Sequence, residues 1–437
     1  MLGRSVFIEG TFVHSSTCFW FRRSIWGALA LGGLLAFAGP ARAAPDAALL
    51  AAAEKAQPAV IEHLKEMVLI ESGSQQIDGL LKMADGLQAR LQALGFATER
   101  VKASTGTGAD ILVATLKGTG QRKIMLQGHM DTVYGPGVLA TQPFKVEGER
   151  VYGPGIADDK GGLAVIVAGL QILKNAGWKD FDTLTVLMNP DEEIGSRGSG
   201  ALISKLADQH DVVLSFEPSG GKAVSPNNTL LLGAAGIAGV TLHVKGRAAH
   251  AGAAPDQGRN ALLELAHQML QTRDLPKDTP GATLNWTVAK TGGNPSNQIP
   301  AAAEATADVR ITQPGAEQKL NAALQEKIKT RLIADTEVSV TLAVGRPAFL
   351  AGARGRALAE RAQAIYKELG RDLTLVPMTG GGTDAAFAAQ GGKATVVESF
   401  GLAGWGYHAK DEYIDVDSIV PRLYLVTRLL AEIGKGP

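Results

Sequence analysis

Short apolar runs at 111–116, 124–126, 184–188 and 212–214 alternate with helix-length segments, and the last three are each followed within a few residues by His or carboxylate side chains. No other feature limits the possible folds as strongly. Parallel strands need long crossovers, usually helical, so this alternation predicts an α/β fold with a mostly parallel sheet covered by helices. Helical spacing predicts helices over 47–70, with Pro58 as a kink point, and over 79–94, stopped by Gly95. A further helix is expected over 162–173. After Pro347 the same texture returns, with a helix over 357–369 and a strand over 394–397.

Between these stretches the pattern changes, beginning near Gly233-Ala234-Ala235-Gly236. Residues 240–244 alternate like a half-buried strand. Then come a helix over 260–273, strands over 284–289 and 304–311, a helix over 318–332 and a strand over 337–344. Strand, helix, two strands, helix, strand is an open-sandwich order. The expected organisation is a catalytic domain built from 44–234 and 348–437, with an α+β domain inserted at 235–347. A chain of 437 residues is long for one core and suits this division. Lys plus Arg (43) equals Asp plus Glu (43), so charge gives no reason to expect nucleic acid or an anionic membrane as a partner.

Residues 1–43 read as a signal peptide. Arg22 and Arg23 precede an apolar run over 25–38, and Pro40-Ala41-Arg42-Ala43 offers small residues for cleavage after Ala43. The run is short for a bilayer span, so export without stable membrane association is expected. The single cysteine, Cys18, lies in this segment, leaving any metal site in the mature chain to His and carboxylates.

His129 and Asp131 sit two apart on extended backbone, so both point the same way, as a ligand and its orienting group or as a surface hydrogen bond. Asp158 and Asp159 precede the helix over 162–173, where one could be an N-cap, but the surrounding glycines suggest close approach of something else. Asp191, Glu192 and Glu193 crowd three carboxylates after one strand, a repulsion that a cation or solvent must offset. Glu217 ends another strand, and His408 lies near the C-terminus. Sites of open parallel sheets form at the carboxyl ends of strands, which gathers these groups on one edge, and imidazole plus carboxylate suits zinc. Of eight histidines, His63, His210, His243 and His267 have adequate packing roles, whereas His129, His250 and His408 lie in loops of small residues.

The motifs Gly128-His129-Met130-Asp131-Thr132-Val133, Gly155-Ile156-Ala157-Asp158-Asp159-Lys160-Gly161-Gly162, Glu192-Glu193-Ile194-Gly195-Ser196, Phe216-Glu217-Pro218, His250-Ala251-Gly252-Ala253-Ala254-Pro255, Gly381-Gly382-Thr383-Asp384-Ala385 and Gly406-Tyr407-His408 occur in that order. Together they resemble the co-catalytic zinc exopeptidases, above all the folate-hydrolysing glutamate carboxypeptidases. The resemblance covers nearly the whole chain after residue 43. It implies two zinc ions per subunit, with cobalt or manganese as alternatives, bridged by Asp158. His129 and Glu217 would complete one site, Glu193 and His408 the other. Glu192 would be the general base, and Asp131 would orient His129. Asn297 in Gly293-Asn294-Pro295-Ser296-Asn297, Arg346, Thr379 and Arg310 would recognise a substrate carboxylate. The resemblance also implies a homodimer in which His250 reaches the partner's site from the inserted, dimerising domain. The expected activity is hydrolysis of the amide before a C-terminal residue with a free carboxylate, preferably glutamate. A dipeptidase or N-acyl amino acid deacylase of the same superfamily is the alternative. A non-catalytic binding protein is disfavoured because the expected base, Glu192, is present.

Overall fold

The computed structural model describes residues 44–293 and 295–435. The expected signal peptide therefore lies outside the described residues. Asp46 caps the first helix, α1 (Ala47–Val68), by accepting hydrogen bonds from the Ala48 and Leu49 amides at 3.1 Å each. The helix continues through Pro58. Helix α2 (Ile77–Leu94) ends at Gly95, whose φ of 101° is open to glycine and strained for other residues. Then follow β1 (Ala97–Lys102), β2 (Asp110–Lys117), β3 (Lys123–His129), α3 (Lys160–Asn175), β4 (Thr183–Asn189) and β5 (Val212–Ser215).

A six-stranded sheet has the order β1-β2-β4-β3-β5-β10, where β10 is Thr395–Val397. Strands β4, β3, β5 and β10 run parallel to one another. The β1–β2 and β2–β4 pairs are antiparallel, and β1 was not marked by the apolar pattern. The reason for the reversal is length: only residues 118–122 join β2 to β3, too few for a crossover that would make them parallel. The central strand β4 is buried at every position, and α3 buries nearly its whole circumference, so both read as continuous apolar runs. Helices α6 (Gly352–Glu368) and α7 (Ile419–Gly434) complete the layers.

A second sheet carries β6 (Gly236–Lys245), β7 (Asn285–Thr291), β8 (Ala302–Ile311) and β9 (Glu337–Arg346), all antiparallel in the order β7-β8-β6-β9. Along β6, Val240, Leu242 and Val244 are buried while Gly239, Thr241 and His243 are not. One face is thus apolar, and α4 (Ala261–Thr272) and α5 (Ala316–Lys327) cover it in a core cluster of their own. Asn260 starts α4 by accepting from the Leu262 and Leu263 amides at 3.0 and 3.2 Å. The expected α/β class, with a helix-covered, mostly parallel sheet and an added open sandwich, is borne out. No helix among the described residues is long and apolar enough to cross a membrane.

Candidate metal centre and active-site cavity

Every expected ligand before the last sits at or just beyond a strand end or in the loop leading into α3. His129 is the final residue of β3 and pairs in register with Asn189, the final residue of β4. The Glu192–Ile194 turn follows β4, and Glu217 lies two residues after β5. Parallel register therefore brings these ends together at one edge.

His129 is buried. Its Nε2 lies 3.0 Å from Asp158 Oδ1 and 3.7 Å from Glu217 Oε1. The other carboxylate oxygen of Asp158 lies 3.5 Å from His408 Nε2, which is also 3.2 Å from Glu193 Oε2. Asp158 thus offers one oxygen to each imidazole. Behind the ring, His129 Nδ1 is 3.1 Å from the Asp131 carbonyl and 3.3 Å from its carboxylate. These acceptors place the proton on Nδ1 and leave the Nε2 lone pair toward the cluster. The same Asp131 carboxylate accepts from Ser74 Oγ at 2.7 Å and from the amides of Glu192 and Glu193 at 3.0 and 3.1 Å.

Asp159 occupies the N-cap position of α3 but makes no side-chain capping bond; its Oδ2 instead accepts from the His129 amide at 3.2 Å. The glycines find their explanation here. A Cβ on Gly162 would lie 2.1 Å from Asp159 Oδ1 and 2.2 Å from the Phe216 carbonyl. The Asp158–Asp159 peptide bond is cis.

Electrostatically the carboxylates of the cluster outnumber its cationic groups. Burial, then the neighbouring Asp158 carboxylate, pushes the Glu217 and Glu193 pKa values up. Burial likewise raises that of Glu192, against the pull of Arg346. Burial opposes a charge on His129 as well, but the surrounding carboxylates outweigh it and hold its pKa well above the usual imidazole value. Donor atoms of His129, Glu192 and Glu217, and separately of Asp158, Glu193 and His408, lie within 4.8 Å of one another. Hard oxygens with two imidazoles, crowded and short of cations, fit a dinuclear metal site.

A cavity of about 680 Å³ opens over this cluster. Asp158, Glu192, Glu193, Glu217 and His408 line it, as do Arg310, Arg346 and Thr379. Arg346, the last residue of β9, is buried rather than at a solvent-facing hinge. It pairs with the Glu192 carboxylate and donates to the Glu192 carbonyl at 2.5 Å and to Ser196 Oγ at 3.3 Å. Arg310 donates to both carboxylate oxygens of Asp308, at 3.0 and 3.1 Å. Both arginines are cross-strand partners of Ile237, one on each side, which puts them at the same end of the second sheet. His250 and Asn297 do not reach this cavity. They lie exposed together, where the Asn297 carbonyl accepts from the Ala251 amide at 2.8 Å and Ala249–His250 pairs with Gln298–Ile299.

The sequence reading missed two sets of residues. One is Trp405, which lines the cavity beside Tyr407 of the Gly406-Tyr407-His408 motif, the two ring centroids 5.1 Å apart. The other is the buried carboxylates Glu398 and Glu412, which accept from the backbone amides of Glu217 and Asp158 respectively. Neither set has a periodic or motif signal. A Glu near a strand looks the same in sequence whether it faces solvent or a loop.

Comparison with known proteins agrees with this geometry. The family model for peptidase family M20/M25/M40 matches residues 125–432. Carboxypeptidase G2 from Pseudomonas sp. (strain RS-16) is 45% identical over 392 residues, 90% of this chain and 93% of that protein. A succinyl-diaminopimelate desuccinylase from Maricaulis maris is 30% identical over 361 residues, 79% and 89% of the two chains. Among solved structures, an aminopeptidase from Bacillus cereus superposes with a TM-score of 0.69 at 23% identity, over 86% of this chain and 98% of that one. An M20 family metallo-carboxypeptidase from Sulfolobus solfataricus does so with 0.65 at 17%, over 86% and 99%. The likeness of these two structures concerns the fold, and the sequence matches carry the assignment: this chain is a metallopeptidase and belongs to peptidase family M20/M25/M40.

Proposed function

We propose that the enzyme uses two zinc ions to hydrolyse the amide bond before a C-terminal glutamate in N-acyl-glutamates or folate-type substrates. One observation carries this reading: a cavity that opens onto a carboxylate–imidazole cluster also holds two guanidinium groups, Arg346 and Arg310. A planar guanidinium suits a carboxylate through paired donors, and glutamate presents two carboxylates. The 45% identity to a carboxypeptidase supports the same direction of cleavage.

His129, Asp158, Glu193, Glu217 and His408 would hold the metals. When bound, the paired metals would supply Lewis acidity, lowering the pKa of water and stabilising developing negative charge. Glu192 takes a proton from the attacking water and delivers it to the leaving nitrogen. Asp131 holds His129 in the tautomer that turns Nε2 inward. Arg346, now on Glu192, exchanges that partner for the substrate carboxylate, which frees the base as the substrate is seated. Thr379, which also lines the cavity, assists.

Residues 235–347 form the inserted domain of this reading and serve dimerisation. Leu262, Leu263 and Leu270 on α4 and Val288 on the edge strand β7 are exposed apolar side chains, as a pairing surface requires. His250 and Asn297 then act on the partner's cavity. The signal peptide sends the enzyme out of the cytoplasm, to the periplasm or the medium.

The test is a panel of N-benzoyl amino acids with different C-terminal residues, assayed with metal-depleted protein and after adding zinc, cobalt or manganese. Glutamate should be cleaved with the highest kcat/KM and only with metal present. Equal rates for alanine and glutamate would remove the assigned role of the two arginines.

A further inference from the structure

Glu412 is a carboxylate with 1% exposure, and the charge of the buried Lys160 acts on it. Its partners are amides and a phenol. Oε1 accepts from the Ala157 and Asp158 amides at 2.9 and 3.0 Å. Oε2 accepts from the Gly155 amide at 2.8 Å and from Tyr134 Oη at 2.7 Å. Tyr134 Oη also lies 2.9 Å from the Ala409 carbonyl. A buried carboxylate with this many aligned donors is held in one position, and it holds its donors in return.

The segments it joins are far apart in sequence. Glu412 lies four residues after His408, on the loop between the strands Ala403–Trp405 and Tyr413–Asp415. The amides belong to the loop that presents Asp158, including the amide of Asp158 itself. Tyr134 lies on the segment that leaves His129 and Asp131. One node therefore ties together three ligand-bearing segments. It touches no side chain of the cluster and faces its backbone.

We infer that Glu412, with Tyr134, is a positioning residue that sets the spacing of Asp158 and His408 and so maintains the affinity of one of the two metal sites. Partners behind the ligands of a metal commonly change its affinity by roughly 10–100-fold. This inference rests on the two-metal reading given above. Glu412→Gln keeps one acceptor oxygen and turns an NH2 group toward N–H or O–H donors. Tyr134→Phe removes one hydroxyl and leaves the carboxylate in place.

The experiment is calorimetric titration of metal-depleted protein with Zn²⁺ alone, with far-UV circular dichroism and thermal melting in parallel. Wild type should take up two equivalents; uptake of fewer would overturn the two-metal reading itself. In Glu412→Gln one equivalent should weaken by about tenfold or more while the other stays within about threefold. Its kcat should recover at high zinc with KM unchanged. A folded Glu412→Gln that binds both equivalents like wild type overturns the inference, and so does equal weakening of both. Should that variant not fold, Tyr134→Phe decides on the same criterion, with one equivalent weakened by roughly threefold or more supporting it and unchanged or equally weakened binding refuting it.

Discussion

Asp131 illustrates how much a single buried carboxylate can organise. Its carboxylate receives the Ser74 hydroxyl and the amides of Glu192 and Glu193, while Nδ1 of His129 lies 3.3 Å away. One group thus fixes the direction of a ligand and the start of the turn that carries a second ligand and the proposed base. Glu192 and Glu193 are adjacent, but a 3-10 turn sends them to different partners, Arg346 and His408. That divergence is what the assigned roles require. Glu192→Gln preserves shape and removes proton acceptance, so metal content and melting temperature should stay near wild type while kcat falls by roughly 10²–10⁴-fold. Turnover within a few-fold of wild type at full metal content would exclude Glu192 as base. Much of this was legible beforehand: His129, Glu193 and Glu217 lie where their positions after strands implied, and Asp158 joins them from the loop before α3. Arg346 was legible as a carboxylate-binding type, but not as the present partner of Glu192, because the two are 154 residues apart.

At the scale of elements, the packing of α1 leaves a measurable mark. His63 is buried on this helix, and burial, followed by the nearby Arg90 charge on α2, lowers its pKa from 6.5 to about 3. The folded state therefore keeps His63 neutral, while the unfolded chain takes up a proton near its ordinary value. Stability from this site is complete above pH 6.5 and is lost as pH falls toward 3. At the acid end the loss is on the order of 5 kcal/mol, since each tenfold change in proton affinity is worth about 1.4 kcal/mol. Chemical denaturation of wild type and His63→Gln between pH 7 and pH 4 should give converging free energies, with wild type losing more. Parallel curves would show that His63 does not titrate on unfolding. Helix positions were legible in the sequence because their periodicity is local. The antiparallel edge formed by β1 and β2 was not, because chain direction depends on the connecting loop and on which strand lies between.

At the scale of the whole molecule, His250 and Asn297 lie outside the cavity of their own chain. In the proposed dimer they serve the cavity of the partner. Mixing His250→Ala subunits with Glu192→Gln subunits, each inactive alone, should restore part of the activity, because one of the two sites in each heterodimer is then intact. An oxyanion donor is worth roughly 2.7–4 kcal/mol, so the His250→Ala defect should be about 10²–10³-fold and easy to measure. No recovery despite demonstrated subunit exchange, or full activity as a monomer, would overturn the shared site.

The amino-acid sequence by itself determined where the long helices and most strands of the two main sheets lie, and which chemical groups follow the parallel strands. Apolar periodicity is written in neighbouring residues, and in a parallel sheet a strand end is a site edge. Tertiary structure alone decided what those groups touch. Glu412 meets the Gly155 amide across 257 residues, and Arg346 meets Glu192 across 154. No local pattern encodes such a contact, because a buried Glu and a solvent-facing Glu are the same letter. What separates them is the set of donors and charges that folding brings within about 3 Å.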